Sequence, residues 1–238
     1  DKIYCLGDYV LKNCNSDLVI DLVREKCDVL LKGNCDAVIT RPDVPKGKFW
    51  TRDLIGDERA SFLYNLPVSY EFYMSGYLIR LFHSSPYGLD YMYNPMFSND
   101  ETIYSITELK NPLDLFENTP FIGKTPDDPI PDIIGYGHTH TPNIFRVKNK
   151  TIFNPGSVGI PIEMLNTDVN DKTNKFSALA SYIILEGTLN SKKLSSINIT
   201  LVRLPYDIEK EIESAEKCNF PGKERLSVEL RTATNFRR

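Results

Sequence analysis

The segment Ile133-Ile134-Gly135-Tyr136-Gly137-His138-Thr139-His140 begins as a short apolar strand and ends as a loop that presents two imidazoles one residue apart. Residues that follow such a strand sit at its carboxyl end, where open α/β sheets hold their ligands. The chain has three histidines, and the third, His83, also follows an extended run, Tyr77 to Phe82. That run and Val68 to Tyr73 flank Ser75-Gly76, the pattern of a hairpin. A single histidine of this kind is more often structural. Three at strand ends, beside strand-end Asp8, Asn34 and Asp36, point to one site.

Working outward, Ile3 to Leu6 reads as a short buried strand. Ser16 can cap a helix with Leu18, Val19, Leu22 and Val23 at helical spacing, and Val29 to Lys32 is the next strand. This is a βαβ unit, whose crossover is right-handed. It puts Gly7-Asp8 and Gly33-Asn34-Cys35-Asp36 at the ends of parallel strands. Further on, a helix is predicted around Ile103 to Phe116 and a Pro-rich loop from Thr119 to Pro131. Thr151 to Phe153 and Ala178 to Leu185 are strands, the first followed by the turn Asn154-Pro155-Gly156-Ser157. Asn198 to Arg203 is a late strand and Ile208 to Lys217 the last clear helix. With no repeat, low-complexity tract or strong linker, residues 1–238 are expected to form a single α/β domain.

Lys and Arg total 28 against 32 Asp and Glu, a net charge of −4. This disfavours duplex nucleic acid as a partner, because that affinity rests on clustered positive charge. Hydrophobic content of 41%, charged content of 25% and a mean hydropathy of −0.29 describe an ordinary globular protein. No apolar run suits a membrane span and no secretory signal is present, so the Asn-x-Thr triplets at Asn149 and Asn198 are set aside as glycosylation acceptors. The five cysteines, Cys5, Cys14, Cys27, Cys35 and Cys218, are odd in number and form no C-x-x-C pair. That argues against a disulfide framework and a four-thiolate zinc site, and for a cytoplasmic, reducing setting. The chain opens on Asp1 and runs at once into a strand, as the interior of a longer polypeptide would.

Imidazole nitrogen suits zinc, iron, manganese or nickel, whereas carboxylate and amide oxygens suit harder ions. The mixed set therefore points to a hydrolytic metal centre. In a two-metal site the ions lie roughly 3.5–4 Å apart and clamp a phosphoryl oxygen. A carboxylate such as Asp8 would bridge them.

Five motifs occur in order: Leu6-Gly7-Asp8, Lys32-Gly33-Asn34-Cys35-Asp36, His83-Ser84-Ser85-Pro86, Gly135-Tyr136-Gly137-His138-Thr139-His140 and Asn154-Pro155-Gly156-Ser157-Val158-Gly159. This ordered set resembles the calcineurin-like metallophosphoesterases, especially their bacterial and archaeal phosphodiesterase-like branch. The resemblance implies a four-layer α-β-β-α sandwich of two mixed β-sheets. It makes Asp8 the bridging ligand, gives Asn34, His83 and His138 to one divalent ion and His140 to the other, and assigns Cys35, Asp36 and His140 to catalysis. Two divalent ions are implied, Mn, Fe, Zn or Ni with Mn favoured. The implied reaction is hydrolysis of phosphate esters by a metal-bound hydroxide. Nucleotide phosphodiesters and dinucleoside polyphosphates are the expected small-molecule substrates, with phosphomonoesters and phosphoproteins as alternatives and with neither duplex nucleic acid nor membrane as partner. The same fold also serves as a non-catalytic scaffold in a vacuolar-sorting protein, which is the competing reading.

Two departures bear on this. The family's initial Asp-x-His motif is absent, and the working protein is expected to carry it on a strand and helix of roughly 30 residues ahead of Asp1. Without it the second ion keeps only Asp8 and His140. Cys35 stands where many members have His; with an unperturbed pKa of about 8.5 against about 6.5 it is a poorer acid at pH 7, which favours diesters whose leaving groups need little protonation. Tyr87, Tyr91, Tyr93 and Phe97 either form a lid that stacks on a nucleobase or pack a loop or a dimer interface, the latter consistent with a homo-oligomer. Trp50 carries no functional signal.

Overall fold

A computed structural model describes residues 1–12, 14–43, 49–93, 109, 111–162, 164–165 and 178–235. Its chain runs β1 (Tyr4–Cys5), α1 (Ser16–Lys26), β2 (Val29–Leu30), α2 (Asn34–Thr40), α3 (Trp50–Tyr64), β3 (Ser69–Met74), β4 (Tyr77–Phe82), β5 (Ile133–Tyr136), β6 (Asn143–Val147) and β7 (Lys150–Asn154). There follow β8 (Met164–Leu165), β9 (Leu179–Glu186), β10 (Asn198–Pro205), α4 (Ile208–Lys217), α5 (Lys223–Thr232) and β11 (Thr234–Asn235).

A mixed five-stranded sheet in the order β3-β4-β5-β7-β6 forms the centre. Its inner strands β4, β5 and β7 run parallel, and β3 and β6 close the edges antiparallel. Strand alternation sends Ile79, Leu81, Ile133 and Phe153 to one face and Phe82, Ile134, Tyr136 and Ile152 to the other. Both faces are covered, which is why β5 reads as an unbroken apolar run rather than as an alternating one.

The first face is covered by two further strand pairs, β1 with β2 in parallel and β9 with β10 antiparallel. Tyr4, Leu6, Val29, Leu31, Ile183, Leu185 and Ile199 pack there in a common apolar cluster. Outside β1 and β2 lie α1, α2 and α3, which bury Ile20, Ile39, Ile55 and Leu63. The second face is covered by a 3₁₀ turn at Pro112–Phe116, through Leu115 and Phe116. The layers thus run helices, strands, strands, helical turn, the α/β sandwich architecture expected. Helices α4 and α5 pack on each other and on the loop after β1, burying Ile212, Ala215, Leu226 and Leu230 around Cys14.

Several local expectations are corrected. The Ile103–Phe116 helix lies partly outside the described residues, and its last five form the 3₁₀ turn, started by Pro112 and capped by Asn111, whose Oδ1 accepts from Leu113 N at 3.1 Å. Ile208–Lys217 is not the last helix: α5 follows, with only Leu226 and Leu230 as an i, i+4 apolar pair in a polar sequence. The absence of a disulfide framework is overturned as well, because Cys14 and Cys218 are joined across 204 positions. An odd count rules out complete pairing but not one bond. Trp50 packs edge-on against Phe220, centroids 5.8 Å apart, a structural role. Among the described residues no helix is long and apolar enough to cross a membrane.

Candidate metal centre

All five motifs stand at the ends of parallel strands, β1, β2, β4, β5 and β7, and their loops interlock. The chain leaves β1 through Gly7 at φ 103°. A side chain on Gly7 would meet Gly33 N at 2.5 Å, and one on Gly33 would overlap Asp8, so the two loops pass backbone against backbone. Asp36, fully buried in the first turn of α2, joins them. Its carboxylate accepts from Gly33 N at 2.8 Å, Asp8 N at 2.8 Å and Tyr9 N at 3.0 Å. Burial, together with the Asp8 charge, pushes its pKa up to about 6.

Around this knot the predicted ligands converge. His83 is delivered by the end of β4 and is 2% exposed. Its Nδ1–H donates to the Leu6 carbonyl at 2.7 Å, which leaves Nε2 with its lone pair. That Nε2 lies 3.1 Å from Asn34 Oδ1, 3.2 Å from His138 Nδ1 and 3.4 Å from Asp8 Oδ2. His138 Nδ1 is itself 3.1 Å from Asn34 Oδ1. Ligand atoms of Asp8, His83 and His138 all fall within 4.8 Å of one another. Nitrogen and oxygen acceptors turned toward a common point repel one another unless a cation or proton lies between them, so the donor set fits a borderline divalent ion.

The remaining predicted residues occupy distinct places. Cys35 donates its backbone N–H to Asp8 Oδ1 at 2.9 Å. Burial first, and the Asp8 carboxylate second, raise its thiol pKa, so it stays protonated. His140 lies outside the Asp8–His83–His138 cluster; its Nδ1–H donates to the Ile160 carbonyl at 2.7 Å, and burial lowers its pKa, keeping it neutral. Asp36 faces backbone amides rather than the cluster. Of the proposed lid, Tyr93 is buried in the core beside Phe145, the Tyr87 hydroxyl donates to Glu117 at 2.6 Å, and Tyr91 is exposed. Phe97 lies outside the described residues. The packing reading therefore holds for Tyr93, and among the described lid residues Tyr91 is the exposed one.

Sequence reasoning placed the Asn154 turn near the site but missed its work. Asn154 is fully buried and donates from Nδ2 to the Gly137 carbonyl at 2.7 Å and to Thr139 Oγ1 at 3.0 Å, fixing the Gly-His-Thr-His loop from beneath. A lone Asn ending an apolar strand was the available signal. The carbonyls of Leu6 and Ile160, which orient His83 and His140, leave no trace in side-chain chemistry.

The profile of the calcineurin-like phosphoesterase superfamily domain matches residues 1–172. The chain belongs to that superfamily. Among curated proteins it is similar to an uncharacterized protein of Methanocaldococcus jannaschii, 27% identical over 246 residues covering 92% of this chain and 82% of the relative. Among solved structures it is similar to a metallophosphoesterase from Sphaerobacter thermophilus (20% identity, 98% of this chain, 88% of that one, TM-score 0.62). It is also similar to a hypothetical protein from Pyrococcus horikoshii OT3 (14% identity, 96% of this chain, 84% of that one, TM-score 0.59). The structural neighbours carry the fold; the superfamily supports phosphoester chemistry and divalent metal in general terms.

Proposed function

We propose that this protein is a metal-dependent phosphodiesterase acting on nucleotide phosphodiesters or dinucleoside polyphosphates. The observation that carries the reading is the convergence of Asp8, Asn34, His83 and His138 on one point in a chain of the calcineurin-like superfamily. Asp8, Asn34, His83 and His138 would hold one divalent ion, with Mn²⁺ favoured, and Asp8 with His140 would contribute to a second. Bound ions of this kind polarise a phosphoryl oxygen and make water a nucleophile near neutral pH.

The chain's own residues do the positioning. Leu6 and Ile160 lock the tautomers of His83 and His140, so that Nε2 of each keeps its lone pair. Asp36 fixes Asp8 through the amides on either side of its carboxylate-bearing residue. Burial raises the Cys35 thiol pKa and makes it a reluctant proton donor, so the leaving oxygen takes its proton from water or another nearby side chain. Substrates with acidic leaving groups, such as phosphoanhydrides and aryl or nucleoside diesters, suit that arrangement better than alkyl monoesters.

The test is hydrolysis of bis(p-nitrophenyl) phosphate and p-nitrophenyl phosphate by chelator-stripped full-length protein with Mn²⁺ restored, beside His138→Ala. Diester turnover that needs Mn²⁺ and is lost in the variant is the expected result. A folded protein that binds Mn²⁺ but turns over neither ester overturns the enzymatic reading and leaves a binding role.

A further inference from the structure

Four of the five cysteines form two pairs that bracket the segment carrying Asp8. Cys5 lies three residues before it and sits 3.4 Å, sulfur to sulfur, from Cys27. Cys14 lies six residues after it and is bonded to Cys218 at the end of α4. The second pair joins the Asp8 loop to helices that lie beyond residues 1–172, the span matched by the superfamily. Other contacts follow the same path. Asn15 Nδ2 donates to Ser214 Oγ at 3.2 Å, and Lys12 lies 3.8 Å from buried Glu229 of α5. On the His140 side, the Tyr206 hydroxyl donates to the Gly159 carbonyl at 2.8 Å, next to the Ile160 carbonyl that orients His140. The C-terminal segment from Tyr206 onward thus touches both flanks of the metal centre, and one covalent bond fastens it.

That bond opens onto a surface groove of about 560 Å³. Leu18 and Leu54 form its apolar wall, and Lys210 and Lys217 outnumber its one carboxylate, Asp17. Cys14 is buried, at 8% exposure, whereas Cys218 is half-buried. Cys218 is therefore the more accessible of the two cysteines, with the Lys210 ammonium nearby to attract an anion and Lys217 shared with Glu213 at 3.6 Å.

We propose that Cys14–Cys218 is a thiol–disulfide exchange site that takes a small anionic thiol through this groove, and that its reduction loosens the Asp8 loop. The first thiolate attacks Cys218 Sγ, forming a mixed disulfide and expelling Cys14 as a thiolate, which takes a proton from water. A second thiol attacks the outer sulfur, leaves as the small-molecule disulfide and releases Cys218 as a thiol. Two electrons pass from the two small thiols to the protein, and a small-molecule disulfide reverses the exchange. Outer-shell partners that orient ligands typically govern metal affinity by 10–100-fold. The consequence for the metal rests on the metal-centre reading above; the exchange chemistry does not.

The experiment uses the full chain and two probes, 2-mercaptoethanesulfonate and the neutral 2-mercaptoethanol, with alkylation and intact mass as the readout. Rates are normalised to those of each thiol on a neutral model disulfide. The anionic thiol should be favoured several-fold, and high salt or Lys210→Ala with Lys217→Ala should remove the preference. Mn²⁺ titration should show affinity about tenfold weaker in the reduced protein, restored by reoxidation with a small-molecule disulfide. Equal normalised rates, or a chain whose Cys14 and Cys218 remain free thiols under the oxidant, overturns the exchange site. Equal Mn²⁺ affinity in both states, or loss of near-ultraviolet dichroism on reduction, overturns local loosening. Absence of Mn²⁺ binding in both states overturns the metal-centre reading and the loosening with it, while the thiol preference still decides the exchange site.

Discussion

Arg80 on β4 is wholly buried three residues ahead of His83, and its removal should cost stability without dismantling the site. Its Nε donates to Glu71 at 2.6 Å, Nη1 to the Glu117 carbonyl at 3.0 Å and Nη2 to Asn118 Oδ1 at 2.6 Å. Breaking a buried ion pair from one side generally costs about 3–5 kcal/mol, because the other charge is left without its partner. Here Glu71 keeps Lys124 at 2.5 Å and is itself 18% exposed, which argues for the lower figure. Arg80→Met, which retains the apolar stem, should therefore lose about 3 kcal/mol. For a chain of this size that corresponds to a fall of about 6–12 °C in Tm. Adding Glu71→Leu should recover part of the loss, since Lys124 is partly exposed and can turn to water. Because β4 remains hydrogen-bonded to β3 and β5, Mn²⁺ affinity measured well below Tm should be unchanged. The assay is urea denaturation of wild type, single and double variants. A loss under about 1 kcal/mol, the range of exposed pairs, would refute the argument that this network is desolvated.

Other outcomes follow from the same geometry. Asp36→Ala strands three buried amide donors at about 1–3 kcal/mol each, a total comparable to a domain's whole stability of 5–15 kcal/mol. It should accumulate as unfolded protein, while Asp36→Asn, keeping one acceptor oxygen, should fold with a lower urea midpoint. Joint replacement Cys14→Ser and Cys218→Ser should lower unfolding free energy by about 5 kcal/mol on the chain-entropy estimate for so long a loop; denaturation of oxidised wild type beside the variant measures it. Burial and neighbouring Cys27 push the Cys5 thiol up to about 12. At pH 8 its thiolate fraction is then about three orders of magnitude below that of an ordinary thiol of pKa 8.5, and rises about tenfold per pH unit. Iodoacetamide should accordingly modify it far more slowly in the native protein than in urea, with mass spectrometry giving the site.

The sequence made the site more legible than the scaffold around it. His83 and His138, two of the chain's three histidines, and Asp8 stand at the ends of runs that pattern identifies as strands, so strand polarity placed them together and the family resemblance made them ligands. The hairpin of β3 and β4 was equally plain, because Ser75-Gly76 separates two extended runs. By contrast α5 buries two leucines in a segment rich in Lys, Glu and Arg, and its helix comes from packing on α4 rather than from pattern. The family resemblance gave Asp36 a catalytic role beside Cys35. The helical turn instead aims its carboxylate at backbone amides, a direction that spacing does not encode. The Cys14–Cys218 bond depends on a contact across 204 positions, beyond any local rule.

Backbone conformation shows how the candidate site residues are held. Among the described residues nine other than glycine have positive φ, and three of them are Asp8 at 65°, His138 at 63° and His140 at 62°. Each such residue costs on the order of 1–3 kcal/mol unless its surroundings impose it. Here the surroundings are visible: Asp36 holds Asp8 through its amide, and Asn154 holds the loop on both sides of His138. Leu11, Ser75, Lys148 and Ala233 share this conformation elsewhere in the chain, so what sets Asp8, His138 and His140 apart is their donor chemistry. The chain places a carboxylate and two imidazoles there and secures them with buried, fully bonded polar side chains. Acceptors gathered at one point repel one another, and a cation or a shared proton removes that repulsion. The preformed donor set thus suits a divalent ion, the class of ligand that the superfamily supports in general terms.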